Sequence, residues 1–188
     1  MARGRVDYDQ IAPSYDQRYG ALQYEGVAST LLSLAPAGSA ERILEVGCGT
    51  GHWLTEPQAV FPHVYGLDSS IRMLEQADQE LRDRLVCGEA GHLPLSEAVF
   101  DLIFCVNAFH HFDRKQETLT RAAQALRSGG TLAMIGMDPH TGQDHWSLYH
   151  YFEGTREADL LQAEKMGVSL EFVVDISLAL VTGRAPYS

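Results

Sequence analysis

At 188 residues the chain is a little longer than the roughly 150 of an average domain, so one core is expected over residues 1–188. Hydrophobic residues at 45% and charged residues at 21% match ordinary globular usage and exclude a disordered or collagen-like chain. Fourteen basic against 25 acidic side chains give a formal charge of −11, which repels a phosphate backbone, so no nucleic-acid partner is expected.

The N-terminus, Met1 to Tyr8, lacks a basic start followed by an apolar signal stretch, and the longest apolar runs, such as Leu102–Val106, are strand-length. No membrane span is expected, and the protein is read as cytoplasmic. Cys48, Cys87 and Cys105 lack CxxC spacing and each stands in or beside an apolar run, so buried free thiols are expected.

In chain order, an aromatic and polar arm leads into a helix over 21–36, with Val27, Leu31, Leu32 and Leu34 toward the core. Strand-like runs follow at Arg42–Val46, His63–Leu67, Arg84–Cys87, Asp101–Val106 and Thr131–Ile135. Pro57 falls in the helix after the first strand, which must be short or kinked. Ser69 or Ser70 opens a helix whose apolar face is Ile71, Leu74, Ala77 and Leu81. Asp113 is placed to cap a helix from about Arg114 to Arg127, with Leu119, Ala122, Ala123 and Leu126 on one face and Gly129-Gly130 as its stop. Strands alternating with helices predict an α/β, doubly wound, Rossmann-like and mostly parallel sheet. After the fifth strand, 139–151 is rich in His and aromatics, 155–166 reads as helical, and Leu170–Arg184 as strand-like.

The first strand runs straight into Val46-Gly47-Cys48-Gly49-Thr50-Gly51, a turn that lets a ligand lie against bare backbone. Asp68 ends the second strand 21 residues past Gly47, where a carboxylate accepts hydrogen bonds from both hydroxyls of a ribose. A nucleoside ligand is implied. The glycines fall at +0, +2 and +4, and His52 fills the +5 place that the dinucleotide fingerprint gives to its third glycine.

Leu44-Glu45-Val46-Gly47-Cys48-Gly49-Thr50-Gly51 resembles the first motif of class I S-adenosylmethionine-dependent methyltransferases of the small-molecule type. Gly66-Leu67-Asp68-Ser69-Ser70 with Met73-Leu74, and Gly88-Glu89-Ala90 with Leu93-Pro94-Leu95, are similar to its second and third motifs. Phe100-Asp101 through His110-His111 and Leu126-Arg127-Ser128-Gly129-Gly130 are similar to the fourth and fifth, and Tyr8 to Asp16 to the lid segment. The resemblance covers roughly residues 7–138 and implies strand order 3-2-1-4-5-7-6, S-adenosyl-L-methionine as cofactor and a small-molecule acceptor. It implies that Gly47, Cys48 and Gly49 cradle the methionine part, Glu45 holds the turn or the ammonium, and Asp68 binds the ribose. Ser69 and Met73 would border the adenine, Glu89 and Ala90 read its edge, Asn107 lie near the methionine group, and Tyr15 help close the lid.

Methyl transfer needs placement and exclusion of water, plus a base where the acceptor is a hydroxyl or a protonated amine. His110 and His111 at the end of the fourth strand and Asp138 after the fifth are the candidate base and its orienting acid. His140, His145 and His150 stand five apart, about 140° on a helix, so no metal site is expected. Residues 1–38 are read as lid and helix, and 139–168 as an insertion that binds the acceptor. Between Phe172 and Val181, only Asp175-Ile176-Ser177 is available to turn an antiparallel pair, so one long strand or an edge completed by a partner subunit stays open. The oligomeric state is not fixed by the sequence. Two rival readings remain, a nicotinamide-dependent oxidoreductase (NAD(P) on a similar sheet) and a non-catalytic nucleoside-binding module.

Overall fold

The structure is a computed structural model and describes residues 6–21, 27–34, 42–92, 95–136 and 179–184. Its frame is a six-stranded sheet in the order β3-β2-β1-β4-β5-β6. These strands are β1 Arg42–Val46, β2 His63–Asp68, β3 Leu85–Cys87, β4 Phe100–Val106, β5 Leu126–Gly136 and β6 Ala179–Arg184. The first five are parallel, and β6 lies antiparallel against β5 from Thr131–Arg184 to Gly136–Ala179. The five parallel strands follow the expected order, and β6 takes the place expected for the seventh strand. The predicted turn at 175–177, and the sixth strand with it, lie outside the described residues.

Period-two alternation sends successive side chains to opposite faces of a sheet, and β1 obeys it. Ile43 belongs to one core cluster with Leu54, Val64 and Phe104, while Leu44 and Val46 belong to the other with Ile103, Ala122 and Ala125. Helix α3, Val27–Leu34, buries Val27 and Leu31 in the first cluster. Helix α6, Lys115–Ala125, covers the second face through Thr118, Ala122 and Ala125.

Several boundaries differ from the sequence expectation. Within the helix expected over 21–36, the described part is α3, with residues 22–26 and 35–36 outside the described residues, and two short helices, α1 Tyr8–Ile11 and α2 Gln17–Ala21, stand before it. Helix α6 starts with Arg114 as its N-cap, in place of Asp113, and ends at Ala125, before the glycine pair. Its face is Thr118, Ala122 and Ala125, with Ala123 exposed. The early end has a cause. Ala98 N and Val99 N donate to the carbonyls of Gln124 and Ala125 at 2.9 and 2.8 Å, which satisfies the end of the helix and frees Leu126 to pair with Phe100. Gly129, with φ +77, lies within the irregular start of β5.

The expected helix after Ser70 is α only over Ile71–Leu74 (α5). Ser70 caps it by accepting from Met73 N at 3.1 Å; Leu74, Ala77 and Leu81 are buried as expected, but Ile71 is exposed. Pro57 is accommodated as predicted in the short helix α4, Thr55–Val60, at its first turn, where no intrahelical partner is needed for its missing N–H. Cys48 and Cys105 are buried, whereas Cys87 is exposed, contrary to expectation, because it ends the three-residue edge strand β3, whose Val86 and Cys87 both stand at the surface.

At the amino ends of the central strands, Asp101 accepts from Arg42 N at 2.8 Å and pairs with Arg127 at 3.0 Å. This ties β1, β4 and β5 together on the edge away from the glycine turn. Among the described residues no helix is long and apolar enough to cross a membrane.

Candidate active site

β1 ends at the carboxyl edge of the sheet, where doubly wound folds bind their ligands. Gly47 and Gly49 have φ of +78 and +56, a region that L side chains enter at a cost of about 1–2 kcal/mol. The turn is held from β2: Gly47 N and Cys48 N both donate to Leu67 O, at 2.7 and 3.1 Å. Gly49 N donates to Asp68 Oδ2 and Ser70 N to Asp68 Oδ1, each at 2.8 Å. Asp68, and not Glu45, is therefore the carboxylate that fixes the turn. Each of its oxygens keeps a lone pair for a further donor. Burial pushes its carboxyl above the usual range, against the lowering effect of the Ser70, Gly49 and Ser69 amides.

Glu45 shares its face of β1 with Ile43 and is wholly buried, yet among the described residues neither carboxylate oxygen has a hydrogen-bond partner. Desolvation raises its carboxyl well above the ordinary value, the nearby Asp68 charge raises it further, and the Arg18 guanidinium pulls the other way. A buried carboxylate without partners is costly unless a cation or donor meets it. It opens on a cleft that can admit one.

That first cleft, about 70 Å³, is lined by Tyr8, Tyr15, Arg18, Tyr19, Glu45, Gly47, Cys48, Gly49, Trp53, Asp68, Met73, Val106, Asn107, Ala108, His111 and Phe112. A second cleft of about 290 Å³ is lined by Gly47, Leu67, Asp68, Ser69, Gly88, Glu89, Ala90, Gly91, His111, Phe112, Asp113 and Arg114. The two share Gly47, Asp68, His111 and Phe112. Tyr15, Glu45, Cys48, Gly49, Met73 and Asn107 thus meet on one side of the glycine turn, and Ser69, Glu89 and Ala90 on the other. Asn107 reaches its place through a left-handed backbone, φ +52, with its N–H donated to Ile135 O at 2.7 Å.

Of the candidate catalytic residues, His111 lines both clefts, while His110 packs against it with the rings tilted by 50° and their centroids 3.8 Å apart, and lines neither. Asp138 and the segment 139–168 lie outside the described residues. His52, in the place of the third fingerprint glycine, stacks flat on Tyr19 at 3.4 Å.

Sequence reasoning missed Arg18 and Tyr8. Arg18 is buried, with its guanidinium 3.6 Å over the Tyr15 ring and a hydrogen bond to the Tyr19 hydroxyl. The available signal was an arginine three residues beyond one tyrosine and beside another, a spacing that brings them together on one turn of helix. The arm bearing these residues is also pinned by two acids: Asp9 accepts from Ser70 Oγ at 2.5 Å and Asp16 from Thr50 Oγ1 at 2.6 Å.

A strand, a glycine turn with left-handed backbone and an acid closing the next strand define a nucleoside-binding α/β domain. Residues 44–134 match the family model described as a methyltransferase domain, and over this stretch the chain is similar to class I S-adenosylmethionine-dependent methyltransferases in sequence and in fold. It is 28% identical over 156 residues to a demethylmenaquinone methyltransferase of Thermotoga maritima, covering 77% of this chain and 66% of that one. It is also 28% identical over 153 residues to a malonyl-acyl-carrier-protein O-methyltransferase of Pectobacterium atrosepticum, covering 81% and 60%. The chain therefore spans about three-fifths of the length of such curated relatives. Among solved structures, a methyltransferase of Thermotoga maritima superposes with a TM-score of 0.68 at 19% identity, over 95% of this chain and 98% of that one. The cyclase SpnF superposes at 0.67 and 16% identity, over 96% and 94%. These last two likenesses concern the fold.

Proposed function

We propose that this chain transfers a methyl group from S-adenosylmethionine to a small-molecule acceptor and releases S-adenosylhomocysteine. The observation that carries the reading is Glu45: two buried carboxylate oxygens without partners, facing a cleft floored by glycines and flanked by Asp68. Such a pocket gains from an incoming cation, and the donor brings an α-ammonium and a sulfonium. Glu45 would receive the ammonium, and Arg18, in the same cleft, the α-carboxylate. The bare Gly47–Gly49 backbone would lie along the methionine chain, with Asn107 beside it. Asp68 would take the ribose hydroxyls on its free lone pairs, Ser69 and Met73 would border the adenine, and Glu89 with Ala90 would meet its edge in the larger cleft. When bound, S-adenosylmethionine supplies an electrophilic methyl carbon on a positively charged sulfur.

The protein's share of the chemistry is placement and the exclusion of water. Tyr8, Tyr15, Trp53 and Phe112 wall the cleft with aromatic surface. His111 is proposed as the proton acceptor for a hydroxyl or protonated amine, with His110 and Asp138 as its supports. Relatives named for a quinone and for an acyl group on a carrier protein span different acceptors, so the acceptor is assigned here only as a small molecule. The stacking of His52 on Tyr19, where a dinucleotide site needs bare glycine, weighs against the nicotinamide reading.

Thermal denaturation with S-adenosylhomocysteine, and separately with NADH, tests the donor. A ligand at 100 times its dissociation constant adds about 2.7 kcal/mol, which in a chain of this length raises the melting temperature by roughly 5–10 °C. The rise is expected with S-adenosylhomocysteine and not with NADH; the opposite pattern overturns the reading. Binding without methylation of any acceptor in a broad panel would favour the nucleoside-binding module.

The raised Glu45 carboxyl also sets a pH dependence. The folded state favours the protonated acid, so below the ordinary carboxylate value Glu45 costs the fold nothing, and stability falls as pH rises through the raised value. A cationic donor prefers the ionised acid, so its affinity should rise over the same window as a proton is released. Asp68, also raised, contributes in the same direction. Calorimetry across pH should find the slope reduced and the affinity lowered in Glu45→Gln; an unchanged slope would remove Glu45 from the ammonium site.

A further inference from the structure

The arm at residues 7–19 reaches across the site at Tyr8. Tyr8 Oη lies 2.6 Å from His111 Nε2, 103 residues away in the chain, and the two rings meet edge to face with centroids 5.2 Å apart. The two acid contacts of the arm, Asp9 to Ser70 and Asp16 to Thr50, end on residues that line neither cleft. The Tyr8 contact ends on the wall that both clefts share.

An imidazole turns about a broad terminal torsion, so its direction is set by its partners. For His111 these include the His110 ring on one side and the Tyr8 hydroxyl at Nε2. Of these two, the Tyr8 contact depends on where the arm lies. We propose that Tyr8 is a positioning residue: its hydroxyl fixes the His111 imidazole at the junction of the two clefts and, by the same bond, holds the arm closed over the donor. The inference rests on the donor reading given above. The imidazole shared by the two clefts is then set in place only when the arm has shut, and exchange of spent donor requires the bond to break.

The test is the release of labelled S-adenosylhomocysteine chased by an excess of the unlabelled compound, in wild type, Tyr8→Phe, His111→Ala and the double variant. Tyr8→Phe keeps the ring and removes only the hydroxyl, so loss of one hydrogen bond should speed release about fivefold. His111→Ala should speed release at least as much, and adding Tyr8→Phe to it should change nothing further, because the partner of the hydroxyl is already gone. Release from Tyr8→Phe within about twofold of wild type, too small a change for a lost hydrogen bond, overturns the proposal, as do effects that multiply in the double variant.

A second measurement needs no ligand. In NMR of the protein carrying isotope-labelled histidine, the ring-nitrogen resonances of His111, identified by their loss in His111→Ala, should move in Tyr8→Phe, while those of His52, His63 and His92 stay. Unchanged His111 resonances overturn the proposal. If S-adenosylhomocysteine fails to bind wild type, the donor reading falls, and the NMR comparison still decides whether Tyr8 positions His111.

Discussion

Gly47→Ala is expected to be the most damaging single substitution in the glycine turn. Its φ of +78 already penalises any side chain, and the added Cβ would stand 2.5 Å from Ala108 Cβ and 3.3 Å from the Phe112 ring. The closer neighbour is the short stem of an alanine and cannot swing away, so the backbone of one loop or the other must move. The strain of a left-handed alanine, at about 1–2 kcal/mol, adds to an overpacking cost of about 1–3 kcal/mol. A loss near 3 kcal/mol should lower the melting temperature by roughly 6–12 °C. Because Gly47 lines both clefts, calorimetry on whatever protein remains folded should find no S-adenosylhomocysteine binding. A melting temperature within about 2 °C of wild type, the shift of less than 1 kcal/mol in a chain of this length, would show that the turn has room to adapt.

Asp68→Ala should act mainly on binding. It removes both carboxylate acceptors of the turn, at Gly49 N and Ser70 N, and any contact to the ribose. Loss of the preformed turn and of charged hydrogen bonds is expected to cost about 2.8 kcal/mol of affinity, roughly a hundredfold in the dissociation constant. Stability should fall less, since removing this charge relieves the neighbouring Glu45. Asp68→Asn keeps one acceptor oxygen and should fall between the two. Titration of S-adenosylhomocysteine by calorimetry measures both, and unchanged affinity in Asp68→Ala would take this carboxylate out of the donor site.

The parallel part of the fold was legible in the sequence because each central strand is a short apolar run whose length and flanks suit nothing else. All five parallel strands overlap those runs, although β5 begins at Leu126, five residues before the run that announced it. The helices were harder to delimit. The end of α6 depends on carbonyls of Gln124 and Ala125 being taken by amides of residues 98 and 99, a tertiary contact that no local pattern announces. In α5, turn geometry after Leu74 replaced the regular helix although Leu74, Ala77 and Leu81 kept their burial.

At the site, the glycines and Asp68 could be read because their spacing reflects local strand and turn geometry. The division of labour between the two acids could not. Which carboxylate holds the turn and which is left without partners is decided by the side of β1 that Glu45 faces and by the reach of Asp68 across to Gly49. Tyr8 escaped because its partner is a histidine 103 residues on, whereas Arg18 left a local signal in Tyr15 and Tyr19 whose meaning depends on the arm lying over the cleft.

An acid sealed in the interior with nothing to hold places fitness and robustness in opposition. A lineage adapting to heat would gain by replacing Glu45 with an aliphatic residue, since the surrounding layer of Ile43, Leu54 and Phe104 would welcome it. On the donor reading proposed above, such a descendant would tolerate harsher conditions at the expense of the counter-charge that awaits the incoming ammonium.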